Sequence, residues 1–191
     1  MSSPKRLVIG ISGASGAGLG LRIIEVARAA AGWEIHLVVT RAAERTVAYE
    51  VGAKALTQLV ATVDKRHDVD DVGASIASGS FRTEAMIVAP CSMRSLGAIA
   101  SSVSDNLLTR AAEVHLKERR RLVLMARETP LHLGHLHAMV KVTEMGAIVM
   151  PPVPAFYAKP ATIDDIVDQL AHRALALALP EHQFAGFEWT G

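Results

Sequence analysis

The sequence predicts a doubly wound α/β fold, in which helices cover both faces of a parallel β-sheet. Short apolar runs rich in β-branched residues alternate along the chain with longer segments that repeat apolar residues at helical spacing. The short runs are apolar at nearly every position, which is typical of parallel strands buried on both faces. A length of 191 residues, half of them hydrophobic, favours one domain over residues 1–191.

The first half of the chain predicts two strands, the helices between them and a charged loop. Residues 6–11 (RLVIGI) are a short apolar run, and the glycine- and serine-rich turn after them leads to helical spacing over 17–31. Residues 33–39 (WEIHLVV) predict the second strand because they are apolar and β-branched. The remaining segments are two helices, 41–51 and 53–63, and an exposed loop, 65–71.

The second half continues the alternation, with the strands 85–89, 121–126 and 147–150. Pro90 closes the first of these strands. The helices are 93–100, 107–119, 130–145 and 162–179. Asp105 or Asn106 is the expected N-cap of the helix over 107–119. The helix over 130–145 has Pro130 near its first position and Gly146 just past its end. The helix over 162–179 starts with Thr162 as its N-cap and Asp165 at the third position.

The carboxyl ends of the strands are where this fold binds its ligands. The segments that follow the predicted strands are 12–17, 40–50, 90–95, 127–131 and 151–160. We therefore expect the chemistry of the protein in these five segments.

The loop Gly10-Ile11-Ser12-Gly13-Ala14-Ser15-Gly16-Ala17 joins the first strand to the first helix. Small residues let the backbone approach an anion, and the helix start offers free N–H groups; the same glycines also suit a tight turn that serves packing alone. The loop lacks the Lys of a P-loop and the Gly-x-Ser-x-Gly of a hydrolase elbow. The second strand ends in Thr40 rather than an acid, which argues against NAD and fits a mononucleotide.

Three further clusters suggest anion binding. Pro90-Cys91-Ser92-Met93-Arg94-Ser95 combines hydroxyls, an Arg and a helix start; Cys91 is either a nucleophile or a small buried residue. In Arg127-Glu128, Arg127 can bind a phosphate and Glu128 can act as an acid or base; the alternative is that the two form a local ion pair. Arg110 and Lys117 share one helix face and either hold a phosphate or are merely solvated. Tyr157 follows a proline-rich segment and either binds substrate or packs the loop.

Composition excludes several classes of protein. A net charge of +1 is small for a protein that binds nucleic acid, and no run approaches the roughly 20 apolar residues of a membrane helix. The only cysteine is Cys91, so we expect no internal disulfide and a reducing, cytoplasmic location. The histidines His132, His135 and His137 lack the partners of a zinc set, so we expect no metal.

Taken together, the motifs resemble those of the UbiX-like flavin prenyltransferases over residues 7–173. The segments that carry the resemblance are Gly13-Ala14-Ser15-Gly16-Ala17, Ala89-Pro90-Cys91-Ser92, Ser104-Asp105-Asn106-Leu107, Arg110-Ala111-Ala112, Leu116-Lys117-Glu118-Arg119-Arg120, Arg127-Glu128-Thr129-Pro130-Leu131, Gly146-Ala147, Pro154-Ala155-Phe156-Tyr157 and Ile163-Asp164-Asp165-Ile166-Val167-Asp168.

The resemblance implies a Rossmann-like flavoprotein that moves a dimethylallyl group from dimethylallyl phosphate to N5 and C6 of reduced FMN, without a metal. The product, prenylated FMN, is then the cofactor of a UbiD-like decarboxylase. The resemblance also implies a homo-oligomer, with a dodecamer as the assembly, and sites built where subunits meet. Two alternatives stay open: an FMN-dependent decarboxylase of the same fold, and a non-catalytic flavin carrier subunit.

The resemblance assigns roles residue by residue. FMN is bound by Gly13, Ala14, Ser15, Thr40, Ser92, Met93, Arg94, Ser95 and Arg127. The catalytic residues are Ser15, Glu50, Lys117 and Glu128, where Ser15 and Glu128 assist phosphate departure and proton transfer and Glu50 lines the prenyl site. Dimethylallyl phosphate is held by Arg110, Lys117, Tyr157 and Arg173.

Overall fold

The computed structural model describes residues 5–30, 32–182 and 184, and in them a six-stranded parallel sheet forms the centre of the molecule. The strands are β1 (Lys5–Ile11), β2 (Trp33–Val39), β3 (Lys65–His67), β4 (Ala85–Cys91), β5 (Arg121–Ala126) and β6 (Ile148–Val149). Their order across the sheet is β3-β2-β1-β4-β5-β6. The predicted doubly wound, Rossmann-like fold is therefore confirmed.

Helices cover both faces of the sheet. They are α1 (Ala17–Ala29), α2 (Arg41–Glu50), α3 (Ala55–Val60), α4 (Met93–Ala100), α5 (Leu107–Lys117), α6 (Leu133–Glu144) and α7 (Ile163–Ala178), with two 3₁₀ turns, Ser75–Ala77 and Phe156–Ala158. One core cluster packs α1, α3 and α7 against the sheet, and a second packs α4 and α5 against the opposite face. Within the described residues, no helix is both long enough and apolar enough to cross a membrane.

Several predicted helix ends are confirmed. Asn106 caps α5 through a capping box with Thr109, and Thr162 caps α7 through a capping box with Asp165. Gly146 follows the end of α6 with a φ of 104°, a left-handed conformation that glycine adopts at little cost.

The structure corrects two predicted segments. Residues 65–71 are not simply an exposed loop, because 65–67 form the edge strand β3, in which His67 is buried against β2. Helix α6 begins at Leu133 rather than at Pro130, since the His132 side chain caps it by accepting from the His135 N–H. A three-residue charged strand and a histidine cap both lack a strong local signal, so sequence patterns miss them.

Some element ends also move. The helix predicted over 107–119 stops at Lys117, because Arg119 takes a left-handed φ of 57°. The strand predicted to stop at Ala89 continues to Cys91, with a shift of register against β5 after Val88. Residue 31, the last of the first predicted helix, lies outside the described residues, as do residues 1–4, 183 and 185–191 of the predicted domain.

Candidate functional site

Ser12 joins the loops that follow β1 and β4, where the strand order reverses direction. Its hydroxyl donates to the Pro90 carbonyl at 2.8 Å and accepts from the Ser92 N–H at 2.7 Å, while its side chain is buried. This point of reversal is the crevice in which doubly wound folds bind ligands. The structure therefore uses the Ser12 hydroxyl inside the protein, where it joins two loops.

Ser12→Ala is expected to lower the free energy of unfolding by about 1–3 kcal/mol, because it removes the acceptor of the Ser92 N–H and one of the two donors to the buried Pro90 carbonyl. Urea unfolding of the purified variant measures the loss. Ser101→Ala, at an exposed serine, is the matched control. A loss no larger than that of the control would show that the bridge does not hold the two loops.

Two neighbouring contacts extend this framework along the carboxyl edge of the sheet. The Thr40 N–H donates to the Ile11 carbonyl, and the Arg127 N–H donates to the Cys91 carbonyl, each at 3.0 Å. The loops after β2, β1, β4 and β5 are thus joined in the order of their strands. The predicted segments 12–17, 40–50, 90–95 and 127–131 meet at one edge.

The glycine-rich loop packs closely against α2 and carries backbone donors. A Cβ on Gly13 would lie 2.5 Å from the Ala42 Cβ, so only glycine lets the loop lie against the start of α2. Gly16 has a φ of 100°, which also favours glycine. In the described part of the chain, the N–H groups of Gly13, Ala14 and Ser15 meet no acceptor. These groups fit a polar or anionic portion of a nucleotide.

Glu50, the last residue of α2, places its carboxylate at the start of α1. Its Oε2 accepts from the N–H groups of Gly16 and Ala17, each at 2.9 Å. Partial burial acts to raise the pKa of this carboxyl, but the Ser15 hydroxyl and the two N–H groups outweigh it. The positive charge of Arg127 lowers the pKa further, so Glu50 is ionised at neutral pH.

Arg127 and Glu128 follow β5 and lie exposed at the same edge. Glu50 contacts the start of α1 and also interacts electrostatically with Arg127, so the loops after β1 and β5 meet in one charged cluster. Glu128 Oε1 accepts from the Thr129 N–H at 2.9 Å, which leaves its second oxygen for a ligand. The cluster therefore combines the Arg127 cation with the Glu50 carboxylate and the Ser15 hydroxyl, and Glu128 is the next residue along the chain from Arg127.

The serines at the start of α4 have structural roles in the helix cap and the interior. The Ser92 side chain caps the helix by accepting from the Ser95 N–H, and Ser95 is buried. Arg94 forms an ion pair with Asp105, and Met93 is partly buried against the second core cluster. No sequence spacing indicated that Asp105 would hold Arg94, since the contact joins the first turn of α4 to the loop before α5.

Cys91 is a buried core residue. Its side chain has no exposed surface, and burial raises the pKa of its thiol to about 12. A thiol that stays protonated at neutral pH is a poor nucleophile. Of the two interpretations of Cys91, the small buried residue is therefore confirmed.

The two cations of α5 form local ion pairs, and only Lys117 is carried away from this edge by the direction of the helix. Arg110 pairs with Glu113 at 3.0 Å, and Lys117 pairs with Glu118. Lys117 is the last residue of α5, and the chain then enters the start of β5. Lys117 therefore lies at the amino-terminal edge of the sheet. One chain therefore does not bring Lys117 to Ser15, Glu50 and Glu128.

Tyr157 and Arg173 line a cleft of about 520 Å³ between the segment after β6 and helix α7. Both side chains are exposed, and most of the other lining residues are apolar, such as Met150 and Val153, with Gln169 and His172 as the polar exceptions. The cleft combines a cation and a phenol with an apolar wall, which suits a small amphipathic phosphate ester. Among the described residues, no group of three or more His, Cys, Asp or Glu side chains is placed to hold a metal ion.

Comparison with known proteins gives the family. The model of the Flavoprotein family matches residues 1–175. The chain is 50% identical over 190 residues to "Flavin prenyltransferase UbiX" of Escherichia coli (strain K12), covering 98% of this chain and 99% of that protein.

Two solved structures share the fold at high similarity. The crystal structure of AnUbiX (PadA1) in complex with FMN and dimethylallyl pyrophosphate has a TM-score of 0.94, with 44% identity and 99% of each chain covered. The dodecameric FMN-dependent Ubix-like decarboxylase from Escherichia coli O157:H7 has a TM-score of 0.91, with 40% identity over 97% of this chain and 100% of that one. Together with the geometry of the carboxyl edge, these similarities show that the chain belongs to the flavoprotein family and, within it, to the UbiX flavin prenyltransferases.

Proposed function

We propose that this protein transfers the dimethylallyl group of dimethylallyl phosphate to N5 and C6 of reduced FMN, with phosphate as the leaving group. The observation that carries the proposal is the cluster of Ser15, Glu50 and Arg127 at the strand-order reversal, beside N–H groups that meet no acceptor within residues 5–30, 32–182 and 184. A relative with half of its residues identical is named as a flavin prenyltransferase, which supports the proposal.

The residues present fit a flavin nucleotide. The N–H groups of the loop at Gly13, Ala14 and Ser15 and the fork of Arg127 offer donors to a phosphate or to ring oxygens. Further FMN contacts are proposed for Thr40, Ser92, Met93, Arg94 and Ser95. When bound, reduced FMN supplies the electron-rich atoms that accept the dimethylallyl group.

The chain must stabilise a departing phosphate and exclude water. An allylic phosphate leaves as an anion while its carbon fragment becomes cationic, so positive charge near the phosphate lowers the barrier. We assign this charge to Arg110, Lys117 and Arg173, with Tyr157 as a hydrogen-bond partner. Ser15 and Glu128 assist phosphate departure and proton transfer, and Glu50 lines the apolar prenyl site.

The active form is proposed to be a homo-oligomer whose sites lie between copies. Lys117 lies at the edge of the sheet opposite to Glu128, so a second copy has to supply it to the site. Apolar side chains are exposed on several faces, notably Leu133, Val140, Phe156 and Ile163, as expected of surfaces that pack against other copies. A dodecamer, as named for the Escherichia coli O157:H7 structure, satisfies both observations.

The product of this reaction is a modified flavin, which another enzyme has to use as its cofactor. We propose that a UbiD-like decarboxylase receives the prenylated FMN. A cytoplasmic location suits the reduced flavin and the single free thiol of Cys91.

Anaerobic incubation with reduced FMN and dimethylallyl phosphate, followed by mass spectrometry of the released flavin, tests the proposal. We expect a flavin heavier by one C5H8 unit, because C5H9 replaces one hydrogen overall. A parallel reaction with the pyrophosphate identifies the preferred donor. Bound flavin of unchanged mass with both donors would favour a non-catalytic flavin carrier, and carbon dioxide release from a peptidyl-cysteine substrate would favour a decarboxylase.

A further inference from the structure

Gly79 lies in the loop before β4, facing the end of α5. A Cβ at this position would lie 2.7 Å from the Lys117 Nζ and equally close to the Glu118 Cδ. The Lys117–Glu118 ion pair therefore fills the space that a side chain would need. Gly79 does not have a left-handed φ, so its own backbone conformation does not require glycine.

Arg120 holds this loop in place. Its Nη2 donates to the Gly79 carbonyl at 2.5 Å, and its Nη1 donates to the Phe81 carbonyl at 3.0 Å and to the Thr83 Oγ1 at 3.1 Å. One planar guanidinium thus binds three points of the loop, which restricts its backbone.

A buried chain of hydrogen bonds ties the same loop to α5. The carbonyl of Ala111 can only accept, so His115 Nδ1 donates to it, at 2.7 Å. The neutral His115 then accepts at Nε2 from the Thr83 hydroxyl at 2.9 Å, which leaves the Thr83 oxygen to accept from Arg120. His115 is fully buried, and burial lowers the pKa of its imidazole to about 4, in agreement with a neutral ring at pH 7.

We propose that residues 79–83, held by Arg120 and His115, form a platform that positions the Lys117 ammonium, and that Gly79 is a positioning residue for the donor phosphate. The inference rests on the proposed function, in which Lys117 serves the site of a neighbouring copy. A lysine at a helix end otherwise samples many rotamers, and restricting them beforehand reduces the entropy lost when phosphate binds.

Gly79→Ala tests the platform. The added methyl meets only the ends of two flexible side chains, so we expect it to displace the ion pair and leave the fold intact. The KM for dimethylallyl phosphate is expected to rise about tenfold, because one charge-assisted contact to the phosphate is weakened. FMN occupancy and the melting temperature should stay unchanged. Gly73→Ala is the control, since its Cβ would meet nothing closer than 3.5 Å.

Lys117→Ala, measured in the same assay, separates the inference from the proposed function. If Lys117→Ala raises the KM and Gly79→Ala does not, the platform is wrong and the role of Lys117 stands. If neither variant changes the KM, the role proposed for Lys117 is wrong as well. A rise in KM that comes only with a lower melting temperature would also overturn the inference, because Gly79 would then serve stability.

Discussion

Glu128→Gln should bind FMN as the unaltered protein does and lose prenyl transfer by about a hundredfold or more, the usual effect of removing a general acid or base. Glu128 lies exposed at the carboxyl edge, with one carboxyl oxygen engaged by the Thr129 N–H. An amide keeps the size and the acceptor oxygen of the side chain but cannot carry the proton. Single-turnover kinetics with reduced FMN and dimethylallyl phosphate measures the loss.

Two variants make this experiment specific. Glu144→Gln, at an exposed glutamate near the end of α6, should leave the rate unchanged. Ser15→Ala should resemble Glu128→Gln, with FMN retained and the rate at least about tenfold lower, because its hydroxyl belongs to the cluster around Glu50. Turnover like that of the unaltered protein in both Glu128→Gln and Ser15→Ala would refute the assigned roles.

Arg127→Ala is expected to weaken FMN binding by about 10- to 100-fold, since a hydrogen bond from a charged donor to a phosphate or ring oxygen contributes roughly 1.5–3 kcal/mol. Arg127 is exposed beside the cluster, and its backbone is fixed by the N–H bond to the Cys91 carbonyl. The side chain can therefore be removed without losing that framework contact. Flavin occupancy after purification and titration with FMN measure the change.

Two further arginine variants show whether charge or shape matters. Arg127→Lys should fall between the unaltered protein and Arg127→Ala, because lysine keeps the charge but not the two-pronged donor. Arg28→Ala removes another exposed arginine, one near the end of α1 and so at the other edge of the sheet, and should leave FMN binding unchanged. Full flavin occupancy in Arg127→Ala would remove Arg127 from the flavin site.

Much of the fold follows from local patterns. The strand over residues 33–39 and the strand over 121–126 are observed with their predicted bounds, because apolar β-branched runs carry a strong local signal. Thr162 and Asp165 predicted the start of α7 through a motif that is complete within four residues. The edge strand at 65–67 was missed, since only its pairing with β2 makes it a strand.

The candidate site likewise has features that the sequence predicts and features that only the tertiary structure shows. The alternation of strands and helices placed the loops after β1, β2, β4 and β5 at one edge, and their small, hydroxyl-bearing and charged residues indicated an anion site there. The sequence alone did not show that Ser12 bridges two loops, that Glu50 reaches the start of α1, or that Lys117 lies at the opposite edge. These facts depend on strand order and helix direction, which bring together residues up to 80 positions apart and are not encoded in any short pattern.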